Sequence, residues 1–212
     1  MHELQRYFQR CLDADYVTGR NSADWAVERD GDELLVLFEH SRGTTDWINN
    51  LNFHAVPYRE MSPVWQCHAG FLSVWQAAKP AVKEAVLPYL SLPPAKTGVA
   101  RITVVGYSHG AALAVLCHEW LWYRFPRWRT VLTGYGFGAP RVLYGCPPPA
   151  LAARWAGFTQ IRNNDDPVTH LPPRALGYCH VGNLLPIGDG TVTGIDAHRP
   201  ENYLASLVRQ SL

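Results

Sequence analysis

The stretch VVGYSHGAALAV, residues 104–115, sets a serine between two glycines: Gly106, Tyr107, Ser108, His109, Gly110. A β-branched apolar run leads in and a helical pattern leads out. That is the context in which G-x-S-x-G makes a sharp strand-to-helix turn and lifts the serine hydroxyl to the edge of a sheet. Glycine suits both flanks, because strand and helix approach so closely that a Cβ on either would clash. The turn also brings the next backbone N–H to a helix N terminus, where negative charge is favoured. The chemistry indicated is nucleophilic attack by Ser108. No lysine follows the second glycine, which argues against a phosphate loop.

A serine hydroxyl is a weak nucleophile and needs a base within hydrogen-bond reach, itself oriented by a third group. His109 adjoins Ser108, but in a tight elbow the two side chains diverge and the ring cannot easily reach back. The base must come from a distant segment folded over the same edge. Hydrolases built on such an elbow order the chain as Ser, then Asp or Glu, then His. Downstream, NNDDPVTHLPP (163–173) offers an acid at a strand end and GIDAHRPENY (194–203) a histidine in a loop.

The elements that must hold these groups alternate between strand and helix. ELLVLFE (33–39) and RITVVG (101–106) are short apolar, β-rich runs suited to buried strands. GFLSVWQAAKPAVKEAVLPYL (70–90) reads mainly as helix. From Ser108 to Phe125, Leu113, Leu116, Cys117, Trp120 and Leu121 form an i, i+3, i+4, i+7, i+8 stripe, so that helix packs on a sheet. VLTGYGFG (131–138) and FTQIRNN (158–164) read as strands, YCHVGNLLPIG (178–188) as a hairpin or edge strand, and RPENYLASLVRQSL as a closing helix. The pattern predicts one α/β domain over 1–212 with a mostly parallel sheet.

Composition narrows the partners. Of 212 residues 47% are apolar and 17% charged, with a net charge of +1, a globular balance with no footprint for nucleic acid. No stretch has the length of a membrane span, and the amphipathic start, MHELQRYFQRCLDADYVTGR, lacks the apolar core of a signal peptide. Five widely spaced cysteines read as reduced thiols. These two features predict a cytoplasmic protein. Three Cys-His dipeptides (67–68, 117–118, 179–180) each offer at most one ligand if on a strand, so no metal is expected.

Seven motifs in order give the chain a resemblance to the class 3 lipases, the fungal-type triacylglycerol lipases and their bacterial relatives. SRGTTDWINNL (41–51) is similar to the family's Phe-Arg-Gly-Thr segment, and CHAGF (67–71) to its Val-His-x-Gly-Phe. GYSHGAALA resembles the Gly-His-Ser-Leu-Gly-Gly-Ala elbow. GFGAPRV, NDDPVTHLP, YCHVG and AHRPENY then follow the family's Phe-Gly-x-Pro-Arg-Val, Asn-x-x-Asp-x-Val-Pro-x-Leu-Pro, Tyr-x-His-Val-Gly and His-x-x-x-x-Tyr. The resemblance spans roughly residues 34–207.

It implies an α/β-hydrolase fold and a serine ester hydrolase free of metal and cofactor. Ser108 would be the nucleophile, Asp166 the orienting acid and His198 the base. Thr44 and the backbone N–H of His109 would form the oxyanion hole. Asp165 lacks the family's spacing to x-Val, Asp189 and Asp196 are fallback acids, and His68, His180 and Tyr203 read as structural. Trp47, Ile48, Leu51 and Phe53 would give a short lid an apolar face and contact substrate. The substrate would be a lipid or other small-molecule ester, with transient contact at a lipid interface. Phospholipase A1, short-chain esterase, acyltransferase and a non-catalytic interaction module are the rivals. The chain departs from the family at Ser41, His109 and Ala111.

Overall fold

The computed structural model describes residues 1–19, 23–39, 53–145 and 147–210. A six-stranded sheet runs in the order β1 (Trp25–Asp30), β2 (Glu33–Phe38), β5 (Arg101–Tyr107), β6 (Leu132–Phe137), β8 (Phe158–Asn163) and β10 (Asn183–Ile187). Only the β1–β2 pairing is antiparallel; the other four are parallel. A second, antiparallel sheet joins β3 (Ala55–Tyr58), β4 (Trp65–His68), β7 (Leu143–Tyr144) and β9 (Tyr178–Cys179). This is the mostly parallel α/β sheet predicted from the strand–helix alternation and the α/β-hydrolase arrangement that the resemblance implies.

Side-chain alternation assigns the two faces of the large sheet. Leu34, Val36, Phe38, Ile102 and Val104 face α2 (Ala69–Leu90) and α3 (His109–Arg124) in the larger core. Leu35, Leu37, Val105 and Tyr107 face α1 (His2–Asp13) and α4 (Pro200–Arg209) in a second core with Phe8, Phe137, Tyr203 and Leu207. All six residues of β2 are buried, as a strand covered on both faces requires. Successive residues point to opposite faces, so Tyr107, immediately before the elbow, looks into the α1/α4 layer.

The helix read over 70–90 is α2, which continues through Pro80 and Pro88. An interior proline removes a helical hydrogen bond; the burial of Phe71, Trp75, Ala78, Val82, Val86 and Leu90 along one face outweighs that loss. Helix α3 is buried from His109 to Leu121, beyond its predicted stripe. Its outer face lies against α2 and the turn Ala153–Trp155. Burial extends to Glu119, which is paired with Arg154.

Of the two readings of YCHVGNLLPIG, the edge strand is the one found: β10 lies at the edge of the large sheet, while β9 enters the small one, so the two halves do not form a hairpin. Pro186 accounts for the edge position of β10, because it has no N–H for a further neighbour. The small sheet itself is built from strands too short to show a periodicity.

Candidate active site

Ser108 stands between β5 and α3 with φ 55 and ψ −123, a conformation costing a non-glycine residue about 1–3 kcal/mol. The surroundings enforce it. Its N–H donates to the Phe137 carbonyl at 2.9 Å, and its own carbonyl accepts from Ala111 N–H at 3.0 Å. A Cβ on Gly106 would sit 2.2 Å from the Gly110 carbonyl oxygen, and one on Gly110 would sit 2.4 Å from those of Phe38 and Glu39. The close approach inferred from the two glycines is therefore backbone on backbone.

Asp166 follows β8 and caps the turn Pro167–His170, its Oδ1 accepting from Val168 N–H at 2.9 Å. His198 ends the turn Gly194–His198, just before α4. Asn163, the last residue of β8, ties the two loops together. Its amide donates to the Ala197 carbonyl at 2.8 Å while its Oδ1 accepts from Ser206 of α4 at 2.7 Å. The result is a continuous relay. His198 Nε2 lies 2.8 Å from Ser108 Oγ, and His198 Nδ1 lies 2.7 Å from Asp166 Oδ2. All three residues are buried. A carboxylate facing Nδ1 keeps the proton there, leaving Nε2 to accept from the serine hydroxyl.

Asp165, Asp189 and Asp196 lie outside this relay, as do His68, His118 and His180. Asp165 is exposed and pairs with His170 at 2.8 Å. Asp189 accepts from Thr191, and Asp196 pairs with Arg199. His68 caps α2 by accepting from Phe71 N–H at 3.4 Å, and His180 bonds the Thr169 carbonyl at 2.8 Å. Burial pushes both imidazoles down to about 4 and that of His118 to about 3, so they are neutral. His109 opens α3, which brings its N–H to the helix N terminus. Its ring packs 5.7 Å from Phe71, centroid to centroid, and burial and nearby His68 push it down to about 4. Its imidazole is turned into the core, as the divergence argument requires. Among the described residues no three of His, Cys, Asp and Glu are grouped to hold a metal. Thr44, Trp47, Ile48 and Leu51 lie outside the described residues; Phe53 is half-buried ahead of β3.

Three contacts were not anticipated. Tyr203, read as structural, donates to Asp166 Oδ2 at 2.6 Å. Tyr107, which stands where the family's elbow has histidine, donates to the His198 carbonyl and stacks on its ring at 5.2 Å and 26°. Gly138, with φ +61, lies so close that a Cβ there would be 2.9 Å from His198 Cε1 and 3.0 Å from Asp166 Oδ2. The motif GFGAPRV held the last signal, since a glycine just past a strand end often marks a close approach.

The family model for lipase (class 3) matches residues 35–176. The lipase of Rhizomucor miehei is 31% identical over 161 residues, covering 74% of this chain and 42% of its own length. The secreted mono- and diacylglycerol lipase 1 of Fusarium solani is 28% identical over 151 residues, covering 70% and 42%. The solved Rhizomucor miehei triacylglyceride lipase superposes with a TM-score of 0.69 at 26% identity, covering 84% of this chain and 67% of that one. The chain belongs to the class 3 lipase family. It spans less than half the length of these curated relatives.

The cytoplasmic expectation is corrected by these relatives, since the Fusarium solani lipase is a secreted protein. The polar character of the first residues carries no weight in a chain that spans 42% of its relatives' length. The thiols carry none either. Cys11, Cys67 and Cys117 are free and buried, and burial pushes all three thiols up, the first two to about 12. A buried, protonated thiol is inert in any compartment.

Proposed function

We propose, from its place in the class 3 lipase family, that this chain is a serine carboxylic-ester hydrolase acting on lipid esters of the acylglycerol kind. The observation that carries the reading is the buried relay Ser108–His198–Asp166, assembled from three separate segments with both contacts under 3 Å. The relatives' names, a triacylglyceride lipase and a mono- and diacylglycerol lipase, supply the substrate class.

In this reading His198 Nε2 takes the Ser108 proton as Oγ attacks the ester carbonyl. Asp166 holds the proton on Nδ1 and stabilises the imidazolium without accepting it. The His109 N–H, at the N terminus of α3, stabilises the developing oxyanion, with Thr44 as its partner donor; one such donor is worth about a hundred- to a thousandfold in rate. Collapse expels the alcohol, protonated by His198. Water then attacks the acyl-enzyme, with His198 again as base. Contact with a lipid interface during turnover belongs to the same proposal.

The test is labelling by a fluorophosphonate probe, wild type against Ser108→Ala, followed by p-nitrophenyl esters of rising chain length. Labelling and turnover that vanish with Ser108 support the reading, and rates favouring long acyl chains support the lipid substrate. Equal labelling of both proteins overturns it.

A further inference from the structure

Two tyrosines meet at the base. Tyr107 reaches it from β5 because alternation turns its side chain into the α1/α4 layer. Tyr203 reaches it from the first turn of α4, three residues after the Pro200 that starts the helix and ends the His198 loop. Their rings pack edge to face at 5.8 Å and 65°. Both are buried. Burial, with the Asp166 carboxylate second, pushes both phenols far above their ordinary range, so each is a permanent O–H donor.

Their targets differ. Tyr203 donates to Asp166 Oδ2, the same oxygen that accepts His198 Nδ1–H. Tyr107 donates to the backbone carbonyl of His198 and covers one ring face. The relay's further hydrogen bonds among the described residues are Ser108 Oγ on Nε2 and Val168 N–H on Asp166 Oδ1. Glu201 of α4 and Cys11 of α1 act on Tyr107 from further off.

We infer that Tyr203 and Tyr107 are positioning residues with separable tasks, Tyr203 setting how strongly Asp166 draws a proton onto His198 and Tyr107 setting where the imidazole stands. This rests on the hydrolase reading above. A donor on Oδ2 withdraws charge from the carboxylate, so imidazolium is favoured less than it would be beside an unshared oxygen. Without that donor the base stays protonated to higher pH. Loss of the Tyr107 hydroxyl leaves the carboxylate untouched and frees the loop that carries the ring.

The experiment is the pH dependence of kcat/KM on a soluble p-nitrophenyl ester for wild type, Tyr203→Phe and Tyr107→Phe. In Tyr203→Phe the acidic limb moves to higher pH by about half to one unit, since one hydrogen bond to a charged acceptor is lost. In Tyr107→Phe kcat falls by about tenfold through misplacement of the base, and the limb stays in place. Should Tyr203→Phe fail to fold, 3-fluorotyrosine at position 203 serves instead: its more acidic hydroxyl donates more strongly and moves the limb to lower pH. An acidic limb unmoved by either change at position 203 overturns the inference while leaving the hydrolase reading intact. A wild-type protein without Ser108-dependent turnover overturns both.

Discussion

Replacing Asp166 by asparagine preserves the side chain's shape and converts one acceptor into a donor. The site has no room for that exchange. Oδ1 receives Val168 N–H at 2.9 Å, and Oδ2 receives both His198 Nδ1–H at 2.7 Å and Tyr203 O–H at 2.6 Å. With the amide NH2 toward Val168, donor faces backbone donor in a fully buried position, and the backbone cannot turn away. With the NH2 toward His198, both opposing groups can adapt: the Tyr203 hydroxyl rotates and the imidazole moves its proton to Nε2. That second arrangement is the cheaper one, and it disables the base, because Nε2–H then points at Ser108 Oγ from 2.8 Å. The expected loss in kcat is about 10⁴-fold for a triad forced into the wrong tautomer, or about 5.5 kcal/mol of transition-state stabilisation. The assay is ester turnover at neutral pH beside a thermal unfolding curve. Asp165→Asn is the control, since Asp165 is exposed and pairs with His170 outside the relay. Asp166→Asn protein that folds and keeps activity within about tenfold of wild type refutes the reasoning, since a tautomer trap cannot be that mild. So does a loss that follows Asp165 instead.

Gly138→Ala should abolish most turnover while the protein still folds. The added methyl presses on the His198–Asp166 contact at 2.9–3.0 Å, and displacing a catalytic group by an ångström costs about a hundredfold; ester kinetics with circular dichroism test this. Stability should fall as pH drops from 6.5 toward 4. His68, His109 and His118 are held near 4, 4 and 3 in the folded protein, so over that window the unfolded chain binds more protons, at up to about 1.4 kcal/mol per pH unit for each group. Glu119, raised by burial to about 7 against the pull of Arg154, works in the opposite direction between 4.5 and 7 and is outnumbered. Urea midpoints against pH measure the slope, and His118→Leu, which removes an imidazole with neither nitrogen bonded among the described residues, should flatten it. A slope unchanged in that variant refutes the assignment.

How much of this was readable in the chain depends on what each contact is made from. The elbow was legible because its constraint is local: two glycines and a strand–helix switch lie within a few residues. The order Ser108, Asp166, His198 was legible because motif spacing carries it. The central strands β2, β5, β6 and β8 announced themselves as apolar runs, and the observed elements begin and end within a residue or two of those runs. Tyr107, Tyr203 and Gly138 were not legible as site residues. The two tyrosines reach the relay only through the register of a strand or the docking of α4, which no local pattern encodes, and the glycine's place after a strand end signals a close approach without naming what it approaches. The small sheet escaped for the same reason, with two of its strands only two residues long. His109 marks the opposite case: proximity in sequence suggested a role for its ring, and the turn geometry removed it.

The packing of α1 on α4 bears on when this chain becomes active. During synthesis from the N terminus, Ser108 and Asp166 emerge well before His198. Helix α1 packs on β5, but its Leu4, Tyr7, Phe8 and Cys11 also share their core with Tyr203 and Leu207, so the layer behind the sheet stays incomplete until α4 arrives. The element that completes this layer also delivers the base and the phenol that bonds its acid. A ribosome-bound chain that has not yet exposed α4 should therefore be incapable of ester cleavage, so the first turnover of a nascent chain would report that α1 and α4 have met.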